Sequence, residues 1–309
     1  MKILFAATGS IAVPTLEKLN ELGLVKAVLT SPDEKGGRGN KIIQPPVKIK
    51  AEELSLPYYQ PQSLRTEARG YVRTLGCDTL VSFCYGKIFG PKFLSLFENK
   101  YNIHPSLLPK YRGCSPLYES IKNLDREGGI SIQEIALEVD SGDIIASTSF
   151  PLDGTETLSS LEAEVASISA EFAGSVFSNI GSYEKRSQNG TPSFSRLLAK
   201  EDGEVDFSAS GAAIHALIRA SYPWPKAFTT YNGEKLSLCS VSGSAFSLEE
   251  NTEYEAGTVV ALDRKRGLKI AAKDSFIYVD RLQSPSRKEL DALSFVNGNR
   301  DIIGAHLGR

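Results

Sequence analysis

Between residues 2 and 83 the chain alternates short apolar runs with amphipathic stretches, and that rhythm leaves few folds open. Residues 2–7 read as a buried strand. Residues 13–22 form a helical stretch with Leu16, Leu19 and Leu22 on one stripe. A second strand follows at 25–29, a helix at 66–75 and a third strand at 78–83. Apolar strands alternating with helices predict a mostly parallel α/β sheet. Such a sheet carries its chemistry in the loops beyond the carboxyl ends of its strands.

Ser31 to Pro46 (SPDEKGGRGNKIIQPP) breaks the rhythm with three prolines, three glycines and mixed charge. It reads as a loop, and one longer than most connections inside a compact domain, where long loops are often functional. Further on, 129–136 and 144–150 read as strands joined by the turn EVDSGD, and 157–183 as a long amphipathic helix. Residues 185–194 are polar and turn-rich, and the character changes after them. A helix is predicted over 208–220. Short strands follow at 227–231, 235–241, 257–262, 268–272 and 275–283, separated by Gly, Asn and Asp. That pattern suits a small β-barrel. The expected division is an α/β domain at 1–184, a linker at 185–207 and a C-terminal β-barrel domain at 208–309.

Composition mainly excludes. Lys and Arg number 35 against 37 Asp and Glu, a net charge of −2, so any RNA contact must come from a local patch. No apolar run approaches the length of a membrane span. The opening MKILFAA is too short for a signal peptide and runs into a glycine turn. Cys77, Cys84, Cys114 and Cys239 contain no C-x-x-C pair. Neither a disulfide framework nor a zinc site is expected, and the cytoplasm is the expected compartment.

The chain has three histidines. His215 sits on an apolar helix, where a structural role is expected, and His306 lies in the last few residues, where fraying is expected. His104 lies in YNIHPSLLPKYRG, residues 101–113. The segment begins as a strand, so Asn102 and His104 face the same side. Pro105 then ends it. An amide beside an imidazole makes a donor pair able to hold an oxyanion developing on a carbonyl. A neighbouring carboxylate would favour the imidazolium; Asp140 and Asp143 of the VDSGD turn are the candidates. The sequence has no G-x-S-x-G elbow, Walker A loop or H-E-x-x-H pair, and no G-x-G-x-x-G after the first strand.

NIHPSLLPKYRG followed by an SGD-type turn resembles the folate-dependent formyltransferases. The resemblance implies a Rossmann-like catalytic domain followed by a barrel of OB type. It also implies a catalytic set of Asn102, His104 and Asp140, with Asp143 at a further acidic position of the motif. Residues 84–88 (CYGKI) resemble the segment beside the folate site. Tyr85, Gly86 and Ile88 are therefore expected to bind folate with Ser106, Leu107, Leu108 and Pro109. The loop PDEKGGRGNK, followed by PPVK, resembles the basic insertion of the branch that acts on methionyl initiator tRNA. Pro223-Trp224-Pro225 resembles the domain junction of that branch. Arg38, Lys35 and Lys41 are the tRNA contacts so implied.

The resemblance further implies 10-formyltetrahydrofolate as co-substrate, no metal, no membrane and a monomer. Asn102 and the His104 imidazolium would hold the oxyanion, with Asp140 keeping His104 protonated. The same catalytic set also serves an amino-sugar acceptor or water, and the sequence leaves those acceptors open.

Overall fold

The computed structural model describes residues 1–36 and 41–308. Its first elements are β1 (Ile3–Ala7), α1 (Val13–Glu21), β2 (Val25–Leu29), β3 (Glu34–Gly36) and β4 (Lys41–Ile43). Next come α2 (Pro46–Glu53), β5 (Tyr58–Tyr59), α3 (Thr66–Thr74), β6 (Thr79–Phe83) and α4 (Pro91–Leu94). They are followed by β7 (Asn99–His104), β8 (Arg112–Gly113), α5 (Pro116–Lys122), β9 (Glu127–Glu134), β10 (Ile144–Pro151) and α6 (Leu158–Ser178).

All five residues of β1 are fully buried, as the apolar run predicts for a strand covered on both faces. β1 pairs in parallel with β2 and β6, β6 with β7, and β2 with β5. β9 runs antiparallel to β7. The seven-stranded sheet has the order β10-β9-β7-β6-β1-β2-β5, so it is mostly parallel with a reversed flank. The carboxyl ends of β6 and β7 carry the expected folate residues, with Asn102 and His104 at the end of β7 itself, while Asp140 lies in the turn between β9 and β10.

The chain divides into two compact units. One comprises Met1–Cys114, Gly129–Ser149 and Glu162–Ser195; the other comprises Ser115–Gly128, Phe150–Leu161 and Arg196–Arg309. The first holds the parallel sheet and a short parallel pair between β8 and β11 (Phe194–Ser195). In the second, α7 (Gly211–Ser221) starts at Ser210, whose side chain accepts from the backbone of Ala213 at 3.2 Å. β12 (Ala227–Tyr231), β13 (Glu234–Val241), β14 (Val259–Asp263), β15 (Gly267–Ala271), β16 (Phe276–Gln283) and β17 (Leu290–Asp291) build an antiparallel sheet. Ile214 and Ile218 of α7 pack with Leu238, Ile270, Ile277 and Val279 in its core. α8 (Ala292–Gly298) follows.

Several expectations need correction. The loop expected over 31–46 contains a hairpin, β3 paired antiparallel with β4, and α2 begins at its end. Pro46 occupies the first turn of α2, where a missing N–H costs nothing. The helix expected to reach 183 stops at Ser178 and is followed by a 3₁₀ turn over Ile180–Ser182. Asn179 and Gly181, poor helix formers, account for the break. The C-terminal residues do not fray: His306 bridges to Thr258, and Leu307 is buried. His215 is structural, as expected. It is fully buried, and its Nδ1 accepts from Arg219 Nε at 3.0 Å. Burial and that guanidinium bring its pKa down to about 4. Among the described residues no helix is long and apolar enough to cross a membrane.

Candidate active site

The pairing of β7 with β9 sets Asn102 opposite Gln133 and His104 opposite Ser131. Residues opposed in this way project to the same face of a sheet. The amides of Asn102 and Gln133 accordingly reach one carboxylate. Asn102 Nδ2 donates to Asp140 Oδ1 at 3.2 Å, and Gln133 Nε2 donates to the same oxygen at 3.0 Å. The other oxygen, Oδ2, accepts the backbone N–H of Gly113 at 2.8 Å and lies 3.6 Å from His104 Nδ1. Asp140 adopts a left-handed backbone conformation, with φ of 52°. A strained non-glycine conformation costs about 1–3 kcal/mol and persists only where its surroundings hold it.

The geometry distinguishes the two candidate carboxylates. Asp143 Oδ1 accepts from Ser187 Oγ at 3.1 Å, and the Asp143 carbonyl accepts from the backbone of Glu134 at 2.9 Å. Asn102, His104 and Asp140 come together.

Gly113 fits this arrangement because it has no side chain. Its φ is +116°, and a Cβ there would lie 2.1 Å from the Ser195 carbonyl oxygen. The close approach of β8 to β11 thus needs glycine, and the same residue aims its N–H at Asp140.

His104 is 3% exposed. Its Nε2 lies 2.9 Å from the Tyr111 carbonyl oxygen. A carbonyl only accepts, so Nε2 carries hydrogen. Burial pushes the imidazole below its ordinary value of 6.5. The Asp140 carboxylate and the Tyr111 carbonyl pull the other way and are outweighed. The two ring nitrogens thus face two acceptors, the Tyr111 carbonyl at Nε2 and the Asp140 carboxylate at Nδ1. The carboxylate is present, but desolvation is the larger effect.

The expected folate residues fall into two groups. Gly86 and Ile88 are exposed, Ile88 by 79%. Tyr85 is buried and stacked on Phe89, with ring centroids 5.4 Å apart. Its hydroxyl is buried without a hydrogen-bond partner among the described residues. Ser106 and Leu108 are also buried. Ser106 Oγ donates to the Lys110 carbonyl at 2.6 Å. Ser131 Oγ donates to the Ser106 carbonyl at 2.8 Å and accepts from Leu108 N at 3.1 Å. Leu107 packs over Gly129, where a Cβ would meet its side chain at 2.4 Å. Ser106, Leu107 and Leu108 thus shape the loop, and Pro109 is partly exposed.

Cys84, just beyond β6, is solvent-exposed and yet crowded enough that desolvation pushes its thiol up to about 12, with Glu162 and Asp140 adding to the rise. Burial also raises Glu162.

Lys35 and Lys41 are exposed on the β3–β4 hairpin; Arg38 lies outside the described residues. Among the described residues no three His, Cys, Asp or Glu side chains are grouped so as to hold a metal ion. Sequence reasoning did not find Gln133, Gly113, Glu162 or Gln188, whose amide donates to the Asp140 carbonyl at 2.8 Å.

Comparison with known proteins adds an independent observation. The formyl transferase family matches residues 1–175, and the formyl transferase C-terminal domain matches residues 197–300. The methionyl-tRNA formyltransferase of Treponema denticola is 34% identical over 319 residues, an alignment covering 98% of each chain. WlaRD, a sugar 3N-formyl transferase of known structure, is similar with a TM-score of 0.64 at 19% identity, covering 93% of this chain and 99% of that one. A methionyl-tRNA formyltransferase from Clostridium thermocellum gives 0.59 at 17% identity, over 83% and 100%. At those identities the structural likeness speaks for the fold.

Proposed function

We propose that this chain, which belongs to the formyl transferase family, transfers the formyl group of 10-formyltetrahydrofolate to the α-amino group of methionyl initiator tRNA, giving N-formylmethionyl-tRNA for translation initiation. The observation that carries the reading is the meeting of Asn102, His104 and Gly113 on the Asp140 carboxylate. The near full-length identity to an enzyme named for this reaction supports the choice of acceptor.

10-Formyltetrahydrofolate supplies the formyl group as co-substrate. Gly86 and Ile88 present exposed surface for it, Tyr85 contributes an unpartnered hydroxyl, and the Ser106–Pro109 loop shapes the wall. Asn102 has two amide hydrogens and spends one on Asp140. The second is left for the formyl oxygen, which becomes negative as the amine adds. His104 takes the proton shed by the amine at Nδ1, which lies on the Asp140 side of the ring. The imidazolium then lies between two acceptors, the Tyr111 carbonyl and Asp140, and its charge offsets that on the oxygen. As the intermediate collapses, the bond between the formyl carbon and N10 breaks, the proton held on His104 passes to N10, and tetrahydrofolate leaves. The Asp140 carboxyl group is held in place by its N–H donors. Lys35 and Lys41, with Arg38 in the sequence between them, contact tRNA phosphates. The enzyme acts as a cytoplasmic monomer, with residues 1–184 and the adjoining 185–195 stretch forming the catalytic part and 208–309 binding tRNA.

The test is transfer of labelled formyl from 10-formyltetrahydrofolate to methionyl initiator tRNA by the wild type, Asn102→Ala and His104→Ala. Loss of one oxyanion donor in Asn102→Ala is expected to lower kcat by about 10²–10³. Near-normal turnover by His104→Ala would reject the mechanism.

A further inference from the structure

We infer that Gln188 is a positioning residue, fixing the polarity of the hydrogen bonds that converge on Asp140. The inference rests on the reading of Asp140 as a catalytic residue.

Gln188 stands at a junction of donors and acceptors. Its Oε1 accepts twice from Arg112, from Nε at 3.1 Å and Nη2 at 2.8 Å. Its Nε2 donates to the carbonyls of Asp140 and Gly142, both at 2.8 Å, and to Gln133 Oε1 at 3.2 Å. Two hydrogens therefore serve three acceptors. Gln133 passes the direction on by donating to Asp140 Oδ1.

A side-chain amide carries an acceptor at one end and donors at the other, in nearly the same shape. A guanidinium has donors only, and an ionised carboxylate has acceptors only. With Arg112 at one end and Asp140 at the other, a single arrangement of the two amides satisfies every group. Reversing either amide sets oxygen against oxygen. Gln133 is 1% exposed and the Arg112 side chain 12%, so water has little room to repair a mismatch.

The turn that Gln188 grips is one that needs holding. Asp140 has a strained positive φ, and Gly142 packs so closely that a Cβ would lie 1.9 Å from the Glu134 carbonyl oxygen. Gln188 contacts both carbonyls of that turn and orients the amide that meets the carboxylate. Its effect on the reaction passes through Asp140. A misplacement of ~1 Å at a reacting group can cost roughly 10²-fold.

Gln188→Met and Gln188→Glu test the inference, with Asp140→Asn alongside. Methionine keeps the length and removes all polarity. Glutamate keeps the Arg112 contact and removes the donors, and it serves if the methionine variant does not fold. For the variant whose thermal midpoint matches the wild type, kcat for formyl transfer should fall about 10- to 100-fold while KM for both substrates stays within about twofold. In Gln188→Met the His104 imidazole, followed by NMR, should titrate at lower pH, because the carboxylate that favours its charged form is less well placed. Unchanged kcat in a folded Gln188 variant, or a rise in KM alone, overturns the inference and leaves the role of Asp140 standing. Wild-type activity in Asp140→Asn overturns the role of Asp140 and the inference with it.

Discussion

At His104 two opposed influences meet: burial disfavours the charged ring, while Asp140, 3.6 Å away, favours it. Burial is the larger of the two, so the ring's pKa lies below its ordinary value. The sign is testable by NMR titration of the ring. The wild-type midpoint should lie below the ordinary 6.5. In Asp140→Asn it should fall further, because the influence that raises it is gone; a rise would contradict the assignment. At this scale Asn102 and His104 were legible because strand periodicity alone puts both on one side. From spacing alone Asp140 was legible only as one of two carboxylates, since the turn geometry that aims it at the ring is not written there; the family resemblance singled it out. Gln133 and Gln188 were not legible. An uncharged amide in a strand or a polar stretch carries no pattern until the register of β9 against β7 is known.

Among the elements, the short pair of β8 and β11 matters most to the site. Arg112 N donates to the Ser193 carbonyl at 2.9 Å, Arg186 and Ile144 exchange backbone bonds, and Ser187 and Gln188 reach the turn that carries Asp140. The stretch expected as a linker thus hydrogen-bonds, over residues 186–195, to segments that carry site residues. Its composition announced turns. Its pairing did not show, because two-residue strands have no periodicity. Gly113 is the test at this scale. Gly113→Ala places a Cβ against the Ser195 carbonyl at positive φ. It should destabilise the protein by about 1–3 kcal/mol in urea unfolding and lower kcat more than KM. A stability and kcat equal to wild type would show that β8 does not hold the site in this way.

For the whole molecule, a net charge of −2 means that an RNA ligand must be met by a local cluster of cations. The KM for tRNA should rise with salt. The slope of log affinity against log salt should become shallower by roughly one for each phosphate contact removed in Lys35→Ala or Lys41→Ala. Equal slopes in the wild type and both variants would remove the β3–β4 hairpin from the tRNA surface. The fold was legible in outline because its central strands are short, continuous apolar runs, β1 above all. The hairpin was missed because its strands are three residues each and Ile42 and Ile43 face solvent, giving neither alternation nor burial to read. The most direct test of the central claim is a side-by-side formyl-transfer assay with 10-formyltetrahydrofolate and three acceptors: methionyl initiator tRNA, methionyl elongator tRNA and an amino-sugar nucleotide. Rapid formylation of the initiator tRNA alone is the predicted result. Transfer to the sugar amine with none to the initiator tRNA would contradict it.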